Sequence, residues 1–166
     1  MVVVPDTSAL VSLAIASDES PIELLFTEYK VRISPEVVEE LEEIASYDDT
    51  HAEAATRVLN QLDENHIQQP SEQPEYPLDE GETEAIALAN ETNAEIFLCD
   101  EYGELSTVHA LLSSPRLLTT PKMMEALVLR GVLSAEDAQA ALSEMVDERS
   151  WRNNSYVTQF LARFSE

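Results

Sequence analysis

The sequence is poor in the residues on which several protein classes depend: it has one cysteine, three glycines and two lysines among 166 residues. With Cys99 alone, the chain forms no internal disulfide and no cysteine-ligated metal cluster, and the apolar run around this thiol predicts that it is buried and inert. The three glycines are too few and too scattered for a phosphate-binding glycine loop or a Rossmann cofactor site. No segment reaches the roughly 18 uninterrupted apolar residues that a membrane span needs.

Positive charge is also scarce, because 9 basic residues face 33 acidic ones and the net charge is −24. Apolar periodicity through most of the chain argues against disorder. A nucleic-acid mimic would explain the acidic surface, but adaptation to very high salt explains it better. Molar salt shortens the Debye length to about 3 Å and so removes the repulsion within a strongly acidic protein. We therefore expect a halophilic protein, which indicates a habitat and leaves the activity open.

The length suits a single domain over residues 1–166, with a core at about 1–130 and a helical extension at about 131–166. The chain opens on a strand-like run with no basic stretch before a long apolar one. We therefore expect no signal peptide and a cytoplasmic protein.

Strands and helices alternate along the sequence. Apolar runs predict strands over residues 2–4, 30–33, 95–99 and 116–119. Helical periodicity and capping residues predict helices over residues 7–16, 36–45, 52–62 and 80–90, one that begins at Pro21, and more from residue 121 onward with breaks at 131–133 and near Trp151. The polar, proline-rich residues 68–77 predict a loop that serves as a lid or linker. This alternation predicts a three-layer α/β/α sandwich with a mainly parallel sheet.

Two acidic residues directly follow predicted strands. Asp6 follows the run 2–5 and Asp100 follows the run 96–99. A carboxylate at the carboxyl end of a buried strand points into the crevice where open α/β sheets bind ligands. Such carboxylates could together hold a hard divalent cation. The ordinary alternative for Asp6 is that it only caps the following helix.

Acidic residues on two predicted helices could complete such a site. Glu82 shares a face with apolar residues, so we expect its carboxylate at the rim of the core, although Asp79 to Glu82 also resembles a capping box. On the helix 36–45, both Glu40 and Glu42 flank the apolar stripe, and periodicity alone does not choose between them.

Two more acids follow Asp100. Glu101 and Glu104 could each join the cluster, and solvated surface charge is the alternative for both.

Four stretches occur in an order that resembles a PIN domain: VVVPDTSAL, ISPEVVEELEEIA, LDEGETEAIALA and EIFLCDEYGEL. The resemblance covers roughly residues 1–130, and it implies that Asp6, Glu40, Glu82 and Asp100 are the acidic site residues. Either Glu101 or Glu104 takes a more variable fifth position, and Ser8 matches a hydroxyl residue that supports the first aspartate. Many family members have aspartate where Glu82 stands.

The resemblance implies a ribonuclease that uses Mg²⁺ or Mn²⁺ held by these acids, with RNA as its substrate. It also implies an antitoxin partner if the chain is the toxin of a toxin–antitoxin pair, and a homodimer. A catalytically silent PIN-like scaffold is the alternative. For RNA contacts we expect Arg116 or the C-terminal arginines with Trp151 and Tyr156, whose ordinary roles would be ion pairing and helix packing.

Overall fold

Four parallel strands form one sheet in the order β2-β1-β3-β4 in the computed structural model, which describes residues 1–16 and 21–164. The strands are β1 (Val2–Pro5), β2 (Lys30–Val31), β3 (Ile96–Leu98) and β4 (Arg116–Leu118). Val3 pairs with Ile96 and Val31, which aligns the carboxyl ends of the strands. Adjacent residues Val3 and Val4 point to opposite faces of the sheet and are both fully buried. Helices therefore cover both faces, and the predicted parallel α/β sandwich is confirmed.

The helices surround this sheet and are named in chain order. Within the described ranges they are α1 (Thr7–Ile15), α2 (Pro21–Glu28), α3 (Pro35–Ala45), α4 (Thr50–Gln61), α5 (Glu80–Glu91), α6 (Leu105–Leu111), α7 (Thr120–Leu129), α8 (Ala135–Arg149) and α9 (Ser155–Phe164). Short 3₁₀ helices cover Glu64–His66 and Tyr102–Glu104. None of the helices in these ranges combines the length and the hydropathy that crossing a bilayer would demand.

The C-terminal helices pack onto the same core as the sheet. Met145 of α8 and Phe160 of α9 are buried in one apolar cluster with Phe97 of β3. Residues beyond 130 thus help to enclose the carboxyl end of the sheet, where the acidic residues lie.

Some element boundaries differ from the prediction. The strand predicted over residues 30–33 ends at Val31, because Ile33 turns away and makes an isolated parallel bridge with Ile67. The helix predicted to start at residue 52 starts at Thr50, since the Asp49 side chain caps it by accepting the Ala52 N–H. The predicted loop 68–77 contains no helix or strand.

The net charge of −24 leads to a prediction about salt. We expect the melting temperature to rise by several degrees between 0.1 M and 1 M KCl, because shorter screening lengths weaken repulsion among the acidic side chains. Differential scanning calorimetry across a KCl series measures this. A melting temperature that stays level or falls over the same series would contradict halophilic adaptation.

Candidate metal centre

Asp6 stands where β1 passes into α1 and is only 2% exposed. Its Oδ1 accepts hydrogen bonds from the Ala9 N–H at 2.9 Å and from the Ser8 hydroxyl at 2.7 Å. Asp6 therefore caps α1 and also projects a carboxylate at the carboxyl end of the sheet. The two interpretations of this residue are compatible, because a cap needs only one of its two oxygens.

The Ser8 hydroxyl connects two strand ends. It donates to Asp6 and accepts the backbone N–H of Asp100 at 3.1 Å. Ser8 is 8% exposed, so this link lies inside the protein and is not replaced by solvent. The link holds the ends of β1 and β3 at a constant separation.

Glu40 approaches the same point from α3. Its Oε1 accepts a hydrogen bond from the Thr7 hydroxyl at 2.9 Å, whereas Glu42 is exposed. The α5 backbone at Gly81 lies so close to the Glu40 carboxylate that a β-carbon at residue 81 would collide with it. The close approach of α3 and α5 thus favours glycine at residue 81, and of the two glutamates only Glu40 reaches the acidic cluster.

Glu82, in the first turn of α5, carries a buried oxygen without a partner. Its backbone N–H is capped by Asp79 at 2.8 Å, and the residue is 8% exposed. Within the described part of the chain, no group donates a hydrogen bond to its Oε2. Leaving a buried carboxylate oxygen unpaired is costly, so this atom needs either a proton shared with Glu104 or a bound cation.

Glu101 and Glu104 bring two more carboxylates to Glu82. One oxygen from each of these three residues lies within 4.8 Å of the others. Oxygen atoms at this spacing suit a hard divalent cation. Glu101 and Glu104, the two candidates for the fifth acidic position, therefore both lie near Glu82.

A small cavity of about 30 Å³ lies beside Glu82 and Glu101, and Glu104 is not among the residues that line it. It is lined by Asp6, Thr7, Ser8, Glu40, Asp79, Gly81, Glu82 and Glu101. Its volume fits about one or two water-sized particles, and hence one cation with a water. No lysine or arginine is among these lining residues.

Asp100 lies beside the cavity and faces β4 and α7. Its Oδ1 accepts the Thr120 N–H at 2.7 Å and its Oδ2 accepts the Thr120 hydroxyl at 2.5 Å. The Tyr102 hydroxyl donates to Oδ1 at 3.5 Å. Asp100 is close to Asp6 through Ser8, but Thr120 occupies both of its carboxylate oxygens. Asp100 is not among the residues that line the cavity, so it would need to turn from Thr120, or to act through a water, to reach a cation there.

Thr120 is a site residue that the sequence analysis missed. It follows β4 in the same way that Asp6 follows β1 and Asp100 follows β3. The signal was therefore present as a polar residue directly after a predicted strand. A threonine at a strand end does not by itself indicate a metal site, because its neutral hydroxyl is a weaker cation ligand than a carboxylate.

Burial raises the pKa of the acids at this site. Burial is the largest cause for Asp6, whose pKa rises to about 7, and for Glu82, whose pKa rises to about 9 with a further contribution from Glu104. The pKa values of Glu40, Glu101 and Asp100 are also raised, chiefly by burial. At neutral pH the metal-free site therefore retains protons, which a cation would displace.

These shifts give the metal-free protein a definite pH dependence. The folded protein binds the Asp6 proton more tightly than the unfolded chain does, so the stability from this group is complete below pH 4 and is lost as the pH rises to about 7. We expect the melting temperature in EDTA to fall over this range and to fall less steeply in Asp6→Asn. Asp48→Asn, at an exposed position, should retain the wild-type slope. Equal slopes in all three proteins would contradict the buried, protonated state of Asp6.

Arg116 lies away from the acidic cavity. Arg116 begins β4, so it lies at the amino end of the sheet, whereas Asp100 lies at the carboxyl end. Together with Lys122 and Arg130, it lines a separate groove of about 780 Å³. Trp151 is buried and packs edge-on against the Tyr102 ring at 5.5 Å between centroids. Trp151, which the sequence predicts as an RNA contact, is therefore part of the packing around Asp100.

Comparison with known proteins agrees with the architecture. A family model described as PIN domain (DUF3368) matches residues 2–166, so the match includes the C-terminal helices. No curated protein and no solved structure matches the chain significantly. The chain belongs to the PIN domain family.

Proposed function

We propose that the protein is a ribonuclease that depends on a divalent cation, Mg²⁺ or Mn²⁺. The observation that carries the proposal is the buried, unpartnered Oε2 of Glu82 beside a cavity that Asp6, Glu40 and Glu101 also line. The donor set consists of oxygen atoms, which these two cations prefer. The absence of cysteine and histidine from this lining disfavours zinc.

In this proposal Asp6, Glu40, Glu82 and Glu101 hold the cation, Glu104 assists, and Asp100 acts through a bound water or after turning from Thr120. A cation held by these residues would supply charge stabilisation for a phosphodiester and would lower the pKa of a bound water. The chain itself supplies orientation. Ser8 directs the Asp6 carboxylate and Thr7 directs the Glu40 carboxylate, so these ligands are positioned before the substrate arrives.

The acidic cluster would by itself repel RNA, because phosphate and carboxylate are both negative. Activity should therefore depend strictly on the cation, and it should decline at acidic pH as protons compete for the carboxylates.

A scaffold protein without catalytic activity is the alternative function, since a fold does not determine a function. Preserved folding without Mn²⁺ binding would favour that alternative.

We also propose that the protein is cytoplasmic, that it forms a homodimer and that it has an antitoxin partner. If a partner protein binds the ribonuclease and blocks the acidic cavity, the ribonuclease is the toxin of a toxin–antitoxin pair and the partner is its antitoxin. Co-purification of the chain with the product of an adjacent gene, with loss of cleavage, would support this role.

The test is cleavage of total RNA at high KCl, with Mn²⁺ or EDTA, by the wild type and by Asp100→Ala. We expect Mn²⁺-dependent cleavage by the wild type, and a loss of about 10²-fold in Asp100→Ala because the variant lacks the carboxylate that acts on the cation through a bound water. Glu42→Gln, which removes an exposed charge from the neighbouring helix, is the matched control and should cleave as the wild type does. Cleavage that persists in EDTA and in Asp100→Ala would exclude this chemistry.

A further inference from the structure

Arg149, the last residue of α8, reaches the acidic cluster from a distant part of the chain. Its Nη2 donates to the backbone carbonyl of Ser8 at 3.4 Å. Ser8 is the residue whose hydroxyl joins Asp6 to Asp100. The guanidinium therefore lies at the rim of the proposed metal centre.

Within the described ranges, the Arg149 guanidinium is one of several basic groups without a carboxylate partner. Among the described residues, four of the nine lysines and arginines form an ion pair within 4.0 Å, namely Arg57 with Glu53, Lys122 with Glu125, Arg130 with Glu28 and Arg163 with Glu125. Arg149 has no such pair in that part of the chain. It is close enough to lower the pKa of Asp100 and Glu101, against the effect of burial. Its charge thus acts on Asp100 and Glu101.

The end of α8 holds Arg149 in a defined position. Ser150 adopts a left-handed conformation with φ of 59° and ends the helix with its N–H bound to the Val146 carbonyl. Trp151 then turns inward and packs against Tyr102, whose hydroxyl donates to Asp100. The segment after Arg149 is thus attached to the site itself, which holds the Arg149 backbone beside the acidic cluster.

We propose that Arg149 binds the non-bridging oxygens of the RNA phosphate that lies at the metal centre. This inference rests on the proposed ribonuclease function. A guanidinium presents five N–H donors in a planar fork that matches phosphate, and a single hydrogen bond to the Ser8 carbonyl leaves the others for a ligand.

Charge balance gives the independent reason for such a contact. The carboxylates of Asp6, Glu40, Glu82, Asp100 and Glu101 outnumber the two positive charges of one divalent cation. The approaching phosphate and the additional negative charge of the transition state therefore need a further cation. No lysine or arginine lines the cavity, and Arg149 at its rim supplies that charge.

The test is Arg149→Gln, because a glutamine amide retains an N–H donor for the Ser8 carbonyl and removes the charge. We expect kcat/KM for single-stranded RNA in Mn²⁺ to fall by about 10²-fold, as for loss of one transition-state donor. We expect the affinity for Mn²⁺ alone to be unchanged or tighter, since a cation near the ligands has been removed. The dependence of log KM on log salt should weaken by a slope of about 0.7, the contribution of one contact to a single strand.

Lys30→Gln is the matched control, because it also removes one positive charge, at an exposed residue that begins β2 at the opposite end of the sheet from the acidic residues. It should cleave RNA and bind Mn²⁺ as the wild type does. Arg149→Lys, which keeps the charge but not the fork, should recover part of the lost kcat/KM.

Two results would overturn the inference. The first is a kcat/KM of Arg149→Gln equal to that of the wild type. The second is a loss of Mn²⁺ binding in parallel with the loss of cleavage, which would show that Arg149 only stabilises the position of α8. With either result, the proposed ribonuclease function remains supported as long as the wild type cleaves RNA in a Mn²⁺-dependent manner. A wild type that does not cleave RNA under these conditions would reject the function and the inference together.

Discussion

Replacing Asp6 with asparagine should lower kcat/KM for RNA by about 10³-fold or more. Asp6 lines the cavity together with Glu40 and Glu82, and its carboxylate is the proposed ligand closest to both strand ends. Asparagine keeps the shape and the oxygen that accepts the Ala9 N–H, but it removes the negative charge that attracts the cation. A loss of 10³-fold corresponds to about 4 kcal/mol of transition-state stabilisation, which is within what a bound metal supplies.

The fold should survive this substitution. Because Asp6 is buried, removing its charge should leave the melting temperature of the metal-free protein at neutral pH unchanged or higher. Glu42→Gln again serves as the control for loss of one acidic charge. Wild-type cleavage by Asp6→Asn, measured with a labelled RNA in Mn²⁺, would remove Asp6 from the metal centre.

Gly81→Ala should lower kcat/KM by about 10²-fold without unfolding the protein. A β-carbon at this position collides with the carboxylate of Glu40, whose side chain is the flexible partner and must move. Moving a ligand by about 1 Å can cost roughly that factor in rate. Alanine otherwise suits this first turn of α5 at least as well as glycine does, so the free energy of unfolding should change little.

Gly103→Ala provides the control, because a β-carbon there meets no atom within 4 Å. It should cleave RNA at the wild-type rate. The Gly81→Ala, Glu40→Gln double variant should be no worse than Glu40→Gln alone, since both changes act through one carboxylate. Additive losses, or full activity in Gly81→Ala, would show that Glu40 and Gly81 do not interact as their contact indicates.

Much of the fold could be predicted from periodicity because it depends on local apolar patterns. The buried strands around Val3 and Phe97 are apolar throughout, as expected for a parallel sheet covered on both faces. The shortened β2 could not be predicted in this way. Its end depends on the pairing of Ile33 with Ile67, a contact between segments more than thirty residues apart.

The acidic site was predictable where a strand end or a helical face determines position. The positions of Asp6 at a strand end and Glu82 on an inward face follow from such rules. Periodicity left Glu40 and Glu42 equivalent, and only the packing of α3 against Gly81 separates them. The rotation of Asp100 toward Thr120 also depends on a contact across the sheet that no local pattern contains.

The central claim is that carboxylates from separate parts of the chain together hold one divalent cation. Anomalous diffraction from crystals soaked in Mn²⁺ tests it most directly. The account predicts a manganese peak in the cavity between Asp6, Glu40, Glu82 and Glu101, and its loss in Glu82→Gln crystals treated in the same way. An empty cavity at saturating Mn²⁺, or a peak that persists unchanged in Glu82→Gln, would contradict the account.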